Sequence, residues 1–460
     1  MVAFGGPAES SPGDAPVQSR RLGDSDQAVL ARLFLLGVPV ASERAGAALG
    51  PASVEELSAA GFLADAGAGR VRSPIRISPY EGVLLAHDPE VLEEPDAAIV
   101  TGLNSAARTL ASLTPRRPAA RALDIGTGCG VQALLAARHA EHVVATDVNP
   151  RALEYTALGA ALNSFDHVET RAGSFFDPVG DERFDLIVSN PPYVISPDDT
   201  LTYRDAGLDR DEVSRVALTG AAAHLAEGGL AMLLLNWVHE AFEHWADPLS
   251  RWLERSGCDA VLLHHLSEDG LDYAAKWNAR FRRDPDALGE IVDRWTQWYA
   301  EAGIHSLATG AVALRRGGHA EPRVAALEMA TGPRGRAGEH VLRIFAAADA
   351  LAGTDDEGLL ATPLALVGGH VLRRERPHGP DGYGTEKVTL ALDDNAGLST
   401  EFGPLVAAVL VGLDGTRTVG DLLTRMSEAL GNEPADARAA VLAAVRSLLE
   451  QGYVTVAAPS

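Results

Sequence analysis

The stretch that most restricts this chain is ALDIGTGCG, Ala122 to Gly130, followed by the helix-forming VQALLAARHA. A buried run that breaks into glycines at alternate positions can turn sharply. It also leaves room for a ligand where a Cβ would stand. A strand, a glycine turn and a helix in that order predict an α/β fold, and the rest of the middle of the chain agrees. Apolar runs at 122–125, 143–146, 184–189 and 230–236 are short and continuous rather than alternating. Strands covered on both faces of a parallel sheet read that way. Between them lie helical patterns such as Arg151–Asn163, and Pro95–Leu113 reads as an amphipathic helix leading in. Cys258–Leu266 and His305–Arg316 bracket a long helix from about 285 to 302 and would complete a largely parallel sheet of seven strands over 95–316.

The flanks differ in character. Residues 1–23 are rich in Gly, Pro and Ser and are expected to be a disordered lead. Over 24–94, Ala28, Leu30, Leu33, Leu35 and Leu36 crowd one helical face, and Ser53-Val54-Glu55-Glu56 is a capping-box sequence. With RVRSPIRISPY, Arg70 to Tyr80, alternating like a hairpin arm, this predicts a small winged-helix-like domain. Residues 317–339 read as a loop-like linker. Residues 340–460 read as a C-terminal α+β, winged-helix-like domain: helix, two strands, two helices and a closing strand, GYVTV.

The net charge is -24. Acidity of that size repels polyanions, which argues against nucleic acid as a partner without excluding a local basic patch. Over 390–460 four arginines stand against nine acidic residues, which speaks against a DNA-reading wing there. Two cysteines, Cys129 and Cys258, supply neither a disulfide framework nor a four-ligand zinc site. The N-terminus lacks the basic-then-apolar order of a secretory signal, and no apolar run approaches about 20 residues. A cytoplasmic protein without membrane contact is expected.

One end of the central domain is suited to a nucleoside cofactor. The glycines fall as GxGxG (Gly126, Gly128, Gly130, with Thr127 between the first two), and Asp124 stands two residues before the first. That spacing fits S-adenosylmethionine, which carries a sulfonium and an ammonium group and no phosphate. Asp124 is placed to orient that cationic end. The second strand ends at Asp147, 17 residues after Gly130, where a carboxylate can accept both ribose hydroxyls. Val148 follows it. After the third strand, Ser174 and Phe175 stand where such folds meet the adenine ring.

The other end is Asn190-Pro191-Pro192-Tyr193, just past the fourth strand at the carboxyl edge of the sheet. The Asn190 side-chain carbonyl and the Pro191 backbone carbonyl can each accept one hydrogen of a planar NH2 group. The prolines fix φ and stiffen the loop, and Tyr193 offers a face for stacking. Asn190 also borders the cofactor. Methyl transfer is an in-line displacement that needs positioning more than a strong base. Tyr203, Arg204, Asn236 and Trp237 are further candidates for the substrate pocket. His239 and His244 are spaced i, i+5, so the HExxH zinc motif is absent, and His264-His265 on a strand point to opposite faces. No metal is expected.

As a set, DIGTGCG…ATDVNPRAL…FDLIVSNPPYV resembles the Rossmann-type, class I S-adenosylmethionine-dependent methyltransferases. More narrowly it resembles the branch of the release-factor glutamine N5-methyltransferases and the ribosomal RNA guanine-N2 methyltransferases. The resemblance covers about 95–240 and implies the cofactor and a nitrogen acceptor. The flanks depart from that branch, and the whole layout resembles larger actinobacterial methyltransferases of unassigned substrate. Three functions follow as expectations. The first is N-methylation of a planar amide or amine in a protein, peptide or specialised metabolite. The second is methylation of an exocyclic amine of RNA or DNA. The third is a catalytically silent methyltransferase fold used for binding.

Overall fold

The structure is a computed structural model that describes residues 15–89, 98–198, 210–240, 242–317, 319, 321–380, 382–430 and 435–457. Its central strands are β1 (Ala119–Ile125), β2 (Ala140–Asp147), β3 (Val168–Ala172), β4 (Phe184–Ser189), β5 (Leu225–His239), β6 (Cys258–Glu268), β7 (Ser306–Arg316) and β8 (Val324–Glu328). They form one sheet in the order β3-β2-β1-β4-β5-β7-β6-β8. β2–β3, β4–β5 and β6–β8 are parallel, while β7 runs antiparallel to both β5 and β6. The helices between them are α1 (Val131–Ala136), α2 (Pro150–Leu162), α3 (Glu212–His224), α4 (Asp247–Leu253), α5 (Gly270–Trp277) and α6 (Pro285–Glu301).

Among the described residues the sheet has eight strands, not the expected seven, and 317–339 is not all loop. β8 pairs only with β6, and its outward residues alternate with half-buried ones. Five residues of weak alternation beside Pro322 and Arg323 carry too little signal to mark an edge strand.

The chain divides into two compact units. One comprises residues 1–108, 120–180 and 198–207, the other 109–119, 181–197 and 208–460.

In the first unit a helix at Asp26–Leu30 continues through a π-helical turn, Ala31–Leu35, and is followed by helices at Ser42–Leu49 and Val54–Ala59. The capping box forms: the Glu56 amide donates to Ser53 Oγ at 3.1 Å, and the Ser53 amide to Glu56 Oε2 at 2.8 Å. Val40–Ala41, Arg70–Arg72 and Ala64–Asp65 make a three-stranded antiparallel sheet over a core of Val29, Leu33, Val40, Ala45, Leu63 and Val71. Two expectations change here. The lead is helical over Ala15–Arg21, because the Arg32 guanidinium donates to the carbonyls of Ser19 and Leu22 at 3.1 and 2.7 Å. The arm over 70–80 is two strands, the second (Arg76–Tyr80) pairing with Val83–His87. That hairpin is sewn to the end of α2, where Asn163 exchanges two 2.9 Å hydrogen bonds with the Leu84 backbone.

The second unit holds β4 to β8, α3 to α6 and the C-terminal region, with Phe184, Leu233, Trp237 and Leu263 fully buried. The lead-in helix spans only Ser105–Leu113 and so begins later than its pattern predicts. Beyond β8 come a helix at Gly338–Leu351 and a sheet in which Pro363–Leu366 lies between Asp414–Thr418 and Val454–Val456. A second small sheet follows, then helices at Pro404–Leu410, Val419–Leu430 and Ala435–Glu450. His340 ties these together, bonding the Gln451 carbonyl at 2.6 Å through Nε2 and accepting from the Ala396 amide at 3.1 Å through Nδ1. Burial pushes its ring down to about 4, so it is neutral at pH 7.

Candidate active site

The glycine turn is built from its hydrogen bonds outward. The amides of Gly126 and Thr127 both donate to the Thr146 carbonyl, at 2.9 and 3.0 Å, hooking the turn to the end of β2. All three glycines have positive φ, but their surroundings differ. A Cβ on Gly130 would meet Thr156 Oγ1 at 2.9 Å, so this glycine allows α1 and α2 to approach. A Cβ on Gly126 or Gly128 would meet none of the described residues within 4 Å. Those two therefore border open space, which is what a cofactor cradle requires.

Asp124 lies beneath the turn, 3% exposed. Its Oδ2 accepts the Thr127 hydroxyl at 2.7 Å and the Ala133 amide at 3.0 Å, joining turn and helix. Burial raises its carboxyl to about 7 against those bonds. Asp147 ends β2, with Oδ2 accepting the Gly128 amide at 3.0 Å and Oδ1 the Asn149 amide at 2.9 Å. Burial raises its pKa as well. Val148 is an exposed apolar residue, 55% open, immediately after it. Past β3, Ser174 is exposed, and Phe175 takes a left-handed φ of 44°. Cys129 is a packing residue whose thiol burial pushes up to about 11.

A residue that local patterns did not reveal holds this half. The buried Asp88 carboxylate accepts the Tyr155 hydroxyl at 2.7 Å, the Val100 amide at 2.8 Å and Arg151 Nη1 at 3.2 Å. Asn149, which caps α2 through the Arg151 amide at 3.0 Å, donates its Nδ2 to the Ala98 carbonyl at 2.8 Å. The start of α2, just beyond Asp147, is thus fastened to residues far away in sequence.

In the other unit, Asn190 follows β4 directly. Its Oδ1 is buried without a hydrogen-bond partner among the described residues, in a region where such atoms are costly. Pro191 is buried, and its carbonyl accepts the Tyr193 amide at 2.8 Å, leaving one lone pair for another donor. Burial pushes the half-buried Tyr193 phenol up to about 12. Asn236, near the end of β5, is fully buried and donates its Nδ2 to the Tyr273 hydroxyl at 2.6 Å, while its Oδ1 has no partner among the described residues.

Trp237 is a core residue, not a pocket wall: it is fully buried and its indole N–H donates to the Trp245 carbonyl at 2.7 Å. Tyr203 and Arg204 lie outside the described residues. His239 ends β5 and His244 lies outside any helix, and His239 and His264 both bond Ser267 Oγ, at 3.0 and 2.9 Å. Asp259, His319 and Asp349 are spaced to surround a cation. Arg315 Nη2, however, bonds both carboxylates, at 2.7 and 2.6 Å, and supplies a positive charge to them.

Residues 91–243 match the family model "Methyltransferase small domain". This segment is a class I S-adenosylmethionine-dependent methyltransferase domain. Residues 13–74 match a second model, a domain of unknown function, DUF7059. The methyltransferase domain is similar to the release factor glutamine methyltransferase of Xylella fastidiosa, 37% identical over 155 residues, covering 31% of this chain and 55% of that protein. It is also similar to the ribosomal protein uL3 glutamine methyltransferase of Bradyrhizobium diazoefficiens, 38% identical over 124 residues, 24% of this chain and 39% of that one. The chain thus spans about half or less of the length of these relatives. A solved methyltransferase from Pyrococcus furiosus aligns at 25% identity, covering 39% of this chain and 82% of that one, with a TM-score of 0.28. Among the described residues no helix is long and apolar enough to cross a membrane.

Proposed function

We propose that the chain transfers a methyl group from S-adenosylmethionine to a side-chain amide nitrogen of a protein or peptide, glutamine being the favoured residue. The observation that carries this is the buried, unpartnered Oδ1 of Asn190 in a loop stiffened by two prolines. An acceptor oriented in advance, with the Pro191 carbonyl beside it, suits a flat NH2 group with two hydrogens to place. The names of the relatives, glutamine methyltransferases of release factor and of ribosomal protein uL3, support the same acceptor.

Gly126 and Gly128 would border the cofactor, Asp147 would take the ribose hydroxyls, and Val148 with Phe175 would face the adenine. Asp124 would act mainly through the turn that it holds. A side-chain amide nitrogen is a poor nucleophile because its lone pair is delocalised into the carbonyl. Two acceptors on its hydrogens hold it in line and favour density on nitrogen. The N–C bond forms as the S–C bond breaks, S-adenosylhomocysteine leaves as a neutral thioether, and the nitrogen then gives up one proton to solvent. The two flanks, each built of helices and small sheets, are read as parts that choose the acceptor. The negative net charge disfavours an RNA or DNA base.

The test is incubation with deuterium-labelled S-adenosylmethionine and a glutamine-bearing release-factor or uL3 peptide, read by mass spectrometry. Label on the glutamine amide is expected. Label on RNA in a parallel reaction, with none on the peptides, would overturn the proposal. Failure to bind S-adenosylhomocysteine in calorimetry would point instead to a silent fold.

A further inference from the structure

The helices α5 and α6 fill the connection between β6 and β7 and carry an aromatic-rich sequence, DYAAKWNARF…RWTQWYAE. Their buried side chains converge on one peptide group. Just after the Asn190–Tyr193 loop, Ile195 is 1% exposed and outside any strand, so its amide and carbonyl need partners other than a sheet ladder. The Ile195 amide donates to the Tyr273 hydroxyl at 3.2 Å. The Ile195 carbonyl accepts the Tyr299 hydroxyl at 2.7 Å. Tyr273 comes from α5 and Tyr299 from α6, and their rings meet edge to face at 6.3 Å and 81°. Gly270 is needed for this approach, since a Cβ there would sit 2.6 Å from the Tyr299 ring.

The bracket reaches further. Tyr273 also accepts Asn236 Nδ2 at 2.6 Å, and the Asn236 carbonyl accepts Ser214 Oγ at 2.6 Å, so the end of β5 is held by the same phenol. Burial, with Tyr193 adding to it, holds the Tyr273 phenol well above its usual value, so it stays a neutral hydrogen-bonding group. Val194, Ile195, Val238, Val292, Trp295, Ile304 and Leu307 pack around the pair and keep water from replacing either bond.

We propose that Tyr273 and Tyr299 are positioning residues for the acceptor loop. By gripping the Ile195 peptide at both its N–H and its C=O, they fix the depth and direction in which Asn190–Tyr193 is presented. The helical connection between β6 and β7 thus serves the reacting end from behind. This rests on the proposed role of Asn190–Tyr193 as the acceptor loop.

The test uses the full chain with Tyr273→Phe, Tyr299→Phe and the double variant, which keep the rings and remove only the hydroxyls. The first readout is amide hydrogen exchange resolved to the 190–195 segment. Tyr273→Phe is expected to speed exchange at Ile195 at least about tenfold, since a lost hydrogen bond of 1.4 kcal/mol is a factor of ten. Exchange over α1 and α2 and the affinity for S-adenosylhomocysteine should not change. With an unmethylated glutamine peptide as acceptor, kcat should fall about tenfold or more while the cofactor Kd stays fixed. Unchanged Ile195 exchange in both single variants would overturn the proposal. So would a uniform rise in exchange across the second unit, which would mean general loosening. If the wild-type chain methylates no glutamine peptide, the acceptor reading fails, and the exchange measurement still decides whether the bracket holds the loop.

Discussion

The Thr127 hydroxyl donates to Oδ2 of Asp124 at 2.7 Å, inside a turn where the same oxygen also accepts the Ala133 amide. The turn is thus held from below by a carboxyl group that burial raises to about 7. An unfolded Asp titrates near about 3.9. A raised folded value means that the group favours folding fully below the unfolded value, and that this contribution is lost as pH rises through about 7. Asp124→Asn keeps an oxygen for both donors and removes the titration. Its Tm relative to wild type should therefore climb between pH 5 and pH 8. A constant difference would show that Asp124 does not titrate in this range.

The three glycines of the turn should separate by role. Gly130→Ala places a methyl 2.9 Å from Thr156 at a φ of +78° and should cost about 2–3 kcal/mol of stability. Gly128→Ala enters open space and should cost only about 1 kcal/mol through its φ of +56°. It should weaken S-adenosylhomocysteine binding at least about tenfold by occupying the cradle. Denaturant titration and calorimetry on both variants check this. Equal binding loss with equal stability loss would contradict it.

Asp147→Ala should raise the cofactor Kd by about one to two orders of magnitude, the effect of about 1.4–2.8 kcal/mol. Its carboxylate also holds the Gly128 amide, so part of the loss would come through the turn. Isothermal titration measures it, and an unchanged Kd would remove Asp147 from the site.

Asp88 should matter more for stability than its distance in sequence from the glycine turn suggests. Asp88→Ala leaves the Tyr155 hydroxyl and the Val100 amide without their Asp88 acceptor and removes the bond from Arg151 to Asp88. A loss of about 2–3 kcal/mol is expected, seen as a lower urea midpoint with the same m value. A shift under about 0.5 kcal/mol would show that the network relaxes.

What the sequence makes legible is local. β1, β2, β4 and β5 announce themselves as continuous apolar runs, and Ser53–Glu56 as a capping box, because those signals lie within a few residues. The glycine spacing points to the cradle, and the structure separates packing Gly130 from open Gly126 and Gly128. β8 escapes notice since an edge strand needs burial on only part of its face. The helix at Ala15–Arg21 escapes because a residue outside it, Arg32, bonds its Ser19 carbonyl and the Leu22 carbonyl just past its end. A tryptophan at a strand end suits a pocket by its position alone, whereas the burial of Trp237 and its bond to the Trp245 carbonyl come from residues beyond that strand. Asp88 to Tyr155 and Ile195 to Tyr299 are contacts between residues far apart in the chain, and no periodicity encodes them.

Asn190→Ala is the sharpest probe of the reacting end, because it removes one buried oxygen. Turnover of a glutamine peptide should fall by about 10²–10³, the usual cost of deleting one preorganised hydrogen-bonding group. The Kd for S-adenosylhomocysteine should stay within about twofold of wild type. Undiminished turnover, or a cofactor affinity that falls in step with it, would contradict the assignment of Asn190 to the methyl acceptor.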